Sequence, residues 1–194
     1  NGTSVLACDT NCNLWGSANN GTTFALASSL TGSLETVRNT IDVNGDRFVI
    51  AGKTPSSPVL AAYFTDNLGV STTACTISGA WNTTPHQVLN CGGGHWLIAC
   101  GNASPGQSSL FHSSNNGASF SPVTLPRNLY FDKNSRQNMA VDGVSGRVVI
   151  AGKEITTGTV YYYWTDDFIT WTEVSRTGTD VSGITAIYHL EPGA

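Results

Sequence analysis

The residues best able to do chemistry are few and widely spaced. Asp42, Asn44 and Asp46 place three side-chain oxygens at alternate positions, the pattern that opens a calcium loop. Arg47 stands where such a loop needs a glycine, and no closing glutamate follows. A plain hairpin turn is the competing reading, because Asp142-Gly-Val-Ser-Gly146 fills the same slot in another part of the chain. Cys8, Cys12, Cys75, Cys91 and Cys100 are an odd number, so they cannot all pair within one chain. Cys8 and Cys12 bracket a short loop and form the candidate disulfide. Zinc is disfavoured, since no Cys pair or Cys/His pair has metal-ligand spacing. Calcium is therefore the single cofactor to test, with none as the default. Glutamates occur only at Glu35, Glu154, Glu173 and Glu191, which limits paired-carboxylate schemes. The spacings of a Ser-His-Asp triad, a P-loop and a dinucleotide fingerprint are absent. No catalytic residue is assigned, and the chain is expected not to be an enzyme.

The surrounding sequence points to many short strands. Charged residues make up 11% of the 194 positions, far below the roughly 25% usual in soluble domains, and Gly, Ser, Thr and Asn separate the apolar runs. That texture predicts an all-β, turn-rich fold in one domain, 1–194. The net charge is -4, and the nine Lys and Arg are scattered, which argues against nucleic acid as a partner. No apolar run approaches the ~18 residues needed to span a bilayer, so no membrane insertion is expected.

A repeat organises these strands. Val5-Leu6-Ala7-Cys8, Val49-Ile50-Ala51-Gly52, Leu97-Ile98-Ala99-Cys100 and Val149-Ile150-Ala151-Gly152 are four versions of one apolar run, starting 44, 48 and 52 residues apart. Each is followed by a turn of constant chemistry: Ser17 to Phe24, Thr65 to Thr72, Ser113 to Phe120 and Trp164 to Trp171. Within these turns Asn19, Asn67, Asn115 and Asp166 occupy one column, Gly21, Gly69 and Gly117 a second, and Phe24, Phe120 and Trp171 a third. An Asx side chain bonds the turn's own amides, glycine takes a positive φ, and the aromatic is expected to tuck beneath the hairpin.

These octapeptides resemble the Asp-box, or BNR repeat, of sialidase-like β-propellers, in its non-catalytic form. The resemblance implies a propeller, here with four blades of four antiparallel strands. The repeats run approximately over 1–30 plus 184–190, 35–78, 86–125 and 136–176. The first repeat lacks an opening strand, and Ile184 to Leu190 has the pattern of one, so a C-terminal strand at about 184–190 is expected to complete the N-terminal blade. A segment of a larger ring, or two chains completing one, is the rival reading. In the second repeat the strands are expected over Val37–Val43, Arg47–Lys53, Val59–Thr65 and Ser71–Ile77. Trp15, Tyr63, Phe111 and Tyr162 are expected to form a packing column. In the resembling family the boxes are structural and lie away from the ligand side, so they receive no chemistry here. A sialidase-like site would need an arginine cluster and a Tyr/Glu pair, and the family's Phe/Tyr-Arg-Ile-Pro motif is absent.

The resemblance places ligands on the face formed by the loops from second to third strands and from one blade to the next. Trp81, His86, Tyr130 and Phe131 fall outside the repeat there, with Lys53 and Lys153 close by, and these six are the ligand-binding candidates. Capping the ends of the core is the competing role for the aromatics. The expected function is a binding module for a glycan or protein receptor on a secreted protein, a cell surface or a virion, with a phage- or bacterial-tail texture. The alternative is a structural subunit or homo-oligomer of a larger particle; a sialidase-like hydrolase ranks below both.

Overall fold

A computed structural model describes residues 4–35, 40–56, 59–79, 83–101, 108–131 and 138–174. Seventeen strands and no helix are found among them. They form four sheets, each a meander of successive antiparallel strands. The first contains β1 (Val5–Cys8), β2 (Asn13–Ser17) and β3 (Ala25–Ser29). The second orders β4 (Thr40–Asn44), β5 (Arg47–Lys53), β6 (Leu60–Thr65) and β7 (Thr73–Ala74). The third is built from β9 (Thr84–Gly92), β10 (His95–Gly101), β11 (Leu110–Ser113) and β12 (Ser119–Pro122). Its outer edge gains β8 (Thr76–Ile77), which pairs parallel with β12.

In the fourth sheet, β15 (Val148–Glu154) is followed by β16 (Val160–Thr165) and β17 (Thr172–Glu173). Its opening position is shared by β13 (Leu129–Tyr130), which pairs with the end of β15, and β14 (Met139–Val141), which pairs with its start. The three-stranded first sheet matches the expected lack of an opening strand; the 184–190 segment lies outside the described residues.

Alternating burial explains why these runs are strands. In β6, Leu60, Ala62 and Thr65 are buried, whereas the central runs of β5 and β10 are buried on both faces because sheets stack on either side. Each fully buried Leu, Ile or Phe contributes roughly 1.5–3 kcal/mol of transfer free energy. The cores straddle sheet boundaries: Val49, Trp96, Ile98 and Phe111 join the second and third sheets, and Leu97, Leu129, Ile150 and Tyr163 join the third and fourth. Opening strands lie side by side. The Asn90 amide donates to Asp42 Oδ2 at 2.7 Å, and Gln87 Oε1 accepts from the amides of Asn138 and Met139 at 2.7 and 2.9 Å.

Two expectations need correction. The fourth strand of the second repeat is split, because its last residues cross to the neighbouring sheet as β8. The packing column in the fourth sheet is Tyr163 and not Tyr162, since Tyr163 faces Ile150 as Tyr63 faces Ile50. The Asp42, Asn44 and Asp46 segment follows the hairpin reading, a two-residue turn in which Asn44 pairs with Arg47. Asp42 spends its oxygens on the amides of Val43 and Asn90, and burial raises its pKa. Among the described residues no group of three or more His, Cys, Asp or Glu could hold a metal ion. Cys8 Sγ donates to the Asp9 carbonyl at 3.6 Å. Cys12 takes a left-handed conformation, φ 62°, which turns Sγ inward to the Glu35 carbonyl at 3.1 Å.

Candidate functional site

The sheets present two ends with different chemistry. At the loop end, where second strands pass to third strands, the four repeats share no constant side chain. Asp9 closes the first loop: Oδ1 accepts from the amides of Asn11 and Asn13, and Oδ2 from Asn13 Nδ2 and Trp15 Nε1, all within 3.0 Å. Those donors hold its pKa down at about 2. Lys53 ends β5 and its carbonyl accepts from the Glu35 amide at 2.6 Å. His86 lies on β9 against Gly101, so close that a Cβ there would collide with its ring. Phe131 is fully buried in the core between the third and fourth sheets, which suits the capping role and closes it to a ligand. Tyr130 remains half-buried and pairs directly across from Lys153, so these two candidates are brought together. Trp81 lies outside the described residues.

The most connected group at this end was not singled out by sequence. Arg127 lies over the Tyr161 ring, 4.2 Å from its centroid, with Nε 3.1 Å from Glu173 Oε2 and Nη1 3.4 Å from Glu154 Oε1. Strand order explains the convergence: β15 ends at Glu154 beside β13, β16 begins one residue before Tyr161, and β17 ends at Glu173. Tyr163 donates to the same Glu173 oxygen at 3.0 Å. Burial, then the bond to the carboxylate, push its phenol up to about 12. A Tyr/Glu pair beside an arginine thus exists, but the tyrosine is wholly buried and keeps its proton, so it anchors Glu173 and offers no nucleophile. Just before β14, Asn138 is 1% exposed, and neither its Oδ1 nor its Nδ2 has a partner among the described residues. An orphaned buried amide costs roughly 1–3 kcal/mol and marks a place where a bound group would be welcome.

At the opposite end stand the box turns. In the first, Ser17 Oγ donates to Asn19 Oδ1 at 2.8 Å and accepts from the Gly21 amide at 3.0 Å, while Asn19 Oδ1 also accepts from the Thr23 amide at 3.0 Å. Thr65 and Asn67, then Ser113 and Asn115, repeat this geometry with Gly69 and Gly117. The fourth turn is shifted by one residue from the expected register. Thr165 and Asp167 make the bonds, and a single left-handed residue, Phe168, replaces the usual pair. Asp166 instead forms a two-point ion pair with Arg147, both contacts at 2.8 Å. Phe120 and Trp171 tuck in as expected; Phe24 does not, being 45% exposed. With Gly16, Leu26, Leu68 and Val70 it lines an open cleft of about 410 Å³.

No protein-family model and no curated protein matches the chain. Solved structures do. An ancestral GH74 enzyme superposes with a TM-score of 0.62 at 15% identity, over 90% of this chain and 24% of its own. The GH74 xyloglucanase from Xanthomonas campestris gives 0.62 at 15%, over 90% of this chain and 28% of its own. YCF48, solved with a D1 peptide bound, gives 0.54 at 14%, over 92% of this chain and 52% of its own. These are β-propeller proteins, and the likeness assigns this chain to the propeller class of all-β folds. The chain spans about a quarter of the GH74 enzymes and about half of YCF48.

Proposed function

We propose that this chain is a non-catalytic binding module of a secreted, cell-surface or virion-surface protein, taking a protein segment at the loop end of its fourth sheet. The observation that carries the reading is the Arg127 cluster. A guanidinium stacked on an aromatic ring and braced by two carboxylates, beside Tyr130 and Lys153, offers rigid aromatic and charged anchors of the kind that dominate protein interfaces. The same bracing argues against hydrolysis. Both glutamates serve Arg127, and the tyrosine is buried, so no acid and base face an open substrate position. YCF48, a fold relative, carries a peptide, which makes a protein ligand the first class to test.

Display of random peptides and a glycan array against the immobilised chain tests the proposal. Saturable peptide binding, weakened at least tenfold by Arg127→Ala or Tyr130→Ala in a chain that melts normally, supports it. Binding confined to glycans redirects the ligand class, and release of sugar from any glycoside contradicts the non-catalytic reading.

A further inference from the structure

Three boundaries between successive sheets use one arrangement. The left-handed residue of each box turn, with its glycine at the first two boundaries, seats on the sheet before. Leu68 lies on Gly16, and a Cβ on Gly69 would sit 3.0 Å from Leu6 and 3.2 Å from Leu14. At the next boundary Arg47 Nη1 donates to the Asn116 carbonyl at 2.8 Å, and a Cβ on Gly117 would sit 2.8 Å from Val49. At the third, Phe168 stacks on His95 and His112, with centroids 4.4 and 4.6 Å apart. The receiving residues are equivalent by strand register: Leu6 pairs with Gly16, Val49 with Phe64, and Leu97 with His112.

The register continues to a fourth receiving surface, where Val149 pairs with Trp164. Its chemistry repeats the second sheet's. Arg147 lies 3.8 Å over Trp164 and clasps Asp166, as Arg47 lies 4.1 Å over Phe64 and clasps Asp66. This surface is open. Leu6, Val49 and Leu97 are buried, whereas Val149 is only half-buried. The Arg147 side chain is 44% exposed against 19% for Arg47. Among the described residues no carbonyl takes Arg147 Nη1 as Asn116 takes Arg47.

Among the described residues one box turn is correspondingly unseated, the first. Its sequence, Ser-x-Asn-Asn-Gly-x-x-Phe, is that of the third turn, and the backbones agree: φ is 56° at Asn20 and 57° at Asn116, 79° at Gly21 and 80° at Gly117. Among the described residues a Cβ on Gly21 would meet only its own Phe24, and that Phe is 45% exposed while the equivalent Phe120 is 1% exposed. The leftover turn is therefore of the Asn-Gly type and the leftover surface of the Arg-aromatic-Asp type, the two chemistries that already meet at Asn116 and Arg47.

We propose that the Arg147, Trp164 and Val149 surface of one copy receives the Asn20-Gly21 turn of a second copy, head to tail. The Asn20 carbonyl accepts from Arg147 Nη1, and Gly21 lies on Val149. The occupant is a second copy because the leftover turn and the leftover surface carry the two chemistries that already meet at Asn116 and Arg47. Such a contact is heterologous, and each copy brings one turn and one receiving surface.

Sedimentation equilibrium over a range of concentrations, on the purified chain and on Arg147→Glu and Asn20→Lys variants with unchanged melting, tests this. Wild type is expected to associate, and each variant to associate at least tenfold more weakly. Mixing the two variants restores association, because the Arg147→Glu copy keeps an intact turn and the Asn20→Lys copy an intact receiving surface. A wild type that is monomeric at every concentration overturns the proposal, as does association that neither variant weakens or that mixing fails to restore.

Discussion

The boundary between the second and third sheets and the boundary between the third and fourth solve one packing problem with opposite chemistry. Both seat a box turn on the same two register positions. In the first case a permanently charged guanidinium, Arg47, stacks on Phe64 and reaches the Asn116 carbonyl. In the second a pair of histidines, joined Nδ1 to Nε2 at 2.9 Å, lies flat against Phe168. Equivalence of shape with difference of charge makes the Arg boundary indifferent to mild acid and the His boundary sensitive to it.

The largest expected effect comes from breaking the Arg boundary sterically. Gly117→Val forces a branched side chain into a left-handed position and into Val49, and should cost about 3 kcal/mol or more. Gly45→Val, at φ 60° with open space around it, carries the backbone strain alone and should cost about 1–2 kcal/mol. Denaturant titration of both variants measures the difference.

Acid should break the other boundary. Burial, then the neighbouring His95, hold His112 down at about 4, below the ordinary 6.5. The unfolded chain therefore takes up a proton between about pH 6.5 and 4 that the folded chain refuses, so stability falls as pH drops through that window and levels off below it. Allowing for partial exposure, the loss is about 1–2 kcal/mol. His112→Phe, which installs the residue of the second sheet, should flatten this part of the pH profile in thermal melts.

The smallest effects compare the two arginines. Arg47→Met removes a two-point ion pair and a bond to Asn116 in a largely covered place and should cost about 1–2 kcal/mol. Arg147→Met removes an ion pair whose two side chains are 44% and 50% exposed and should leave the stability of the isolated chain nearly unchanged. Equal costs would mean that the two surfaces are equally covered.

Sequence reading found the repeat because box turns and apolar runs are local, and local chemistry shows in a single chain. Arg47 to Lys53 was expected as a strand and is one, and the strand ending at Thr65 differs from expectation only by Val59. It misplaced the fourth box by a residue because Trp164 and Trp171 both suit the aromatic pattern, and Asp166 and Asp167 both suit the Asx position. The receiving column was legible but unread: Arg47 and His95 are 48 residues apart, as are Phe64 and His112. The Arg127 cluster was not legible, because Glu154 and Glu173 lie 27 and 46 residues away and meet it only through strand order. Phe131 left both roles open in sequence, since an aromatic outside a repeat looks the same whether it caps the core or faces solvent; it is buried.

The seating of each box turn on the sheet before it is tested most directly by an NMR titration of the histidine rings. His112 is expected to titrate near 4 in the intact chain and to return toward 6.5 in Phe168→Ala, as water reaches the pair. A His112 that titrates near 6.5 in the intact chain, unmoved by Phe168→Ala, would contradict it.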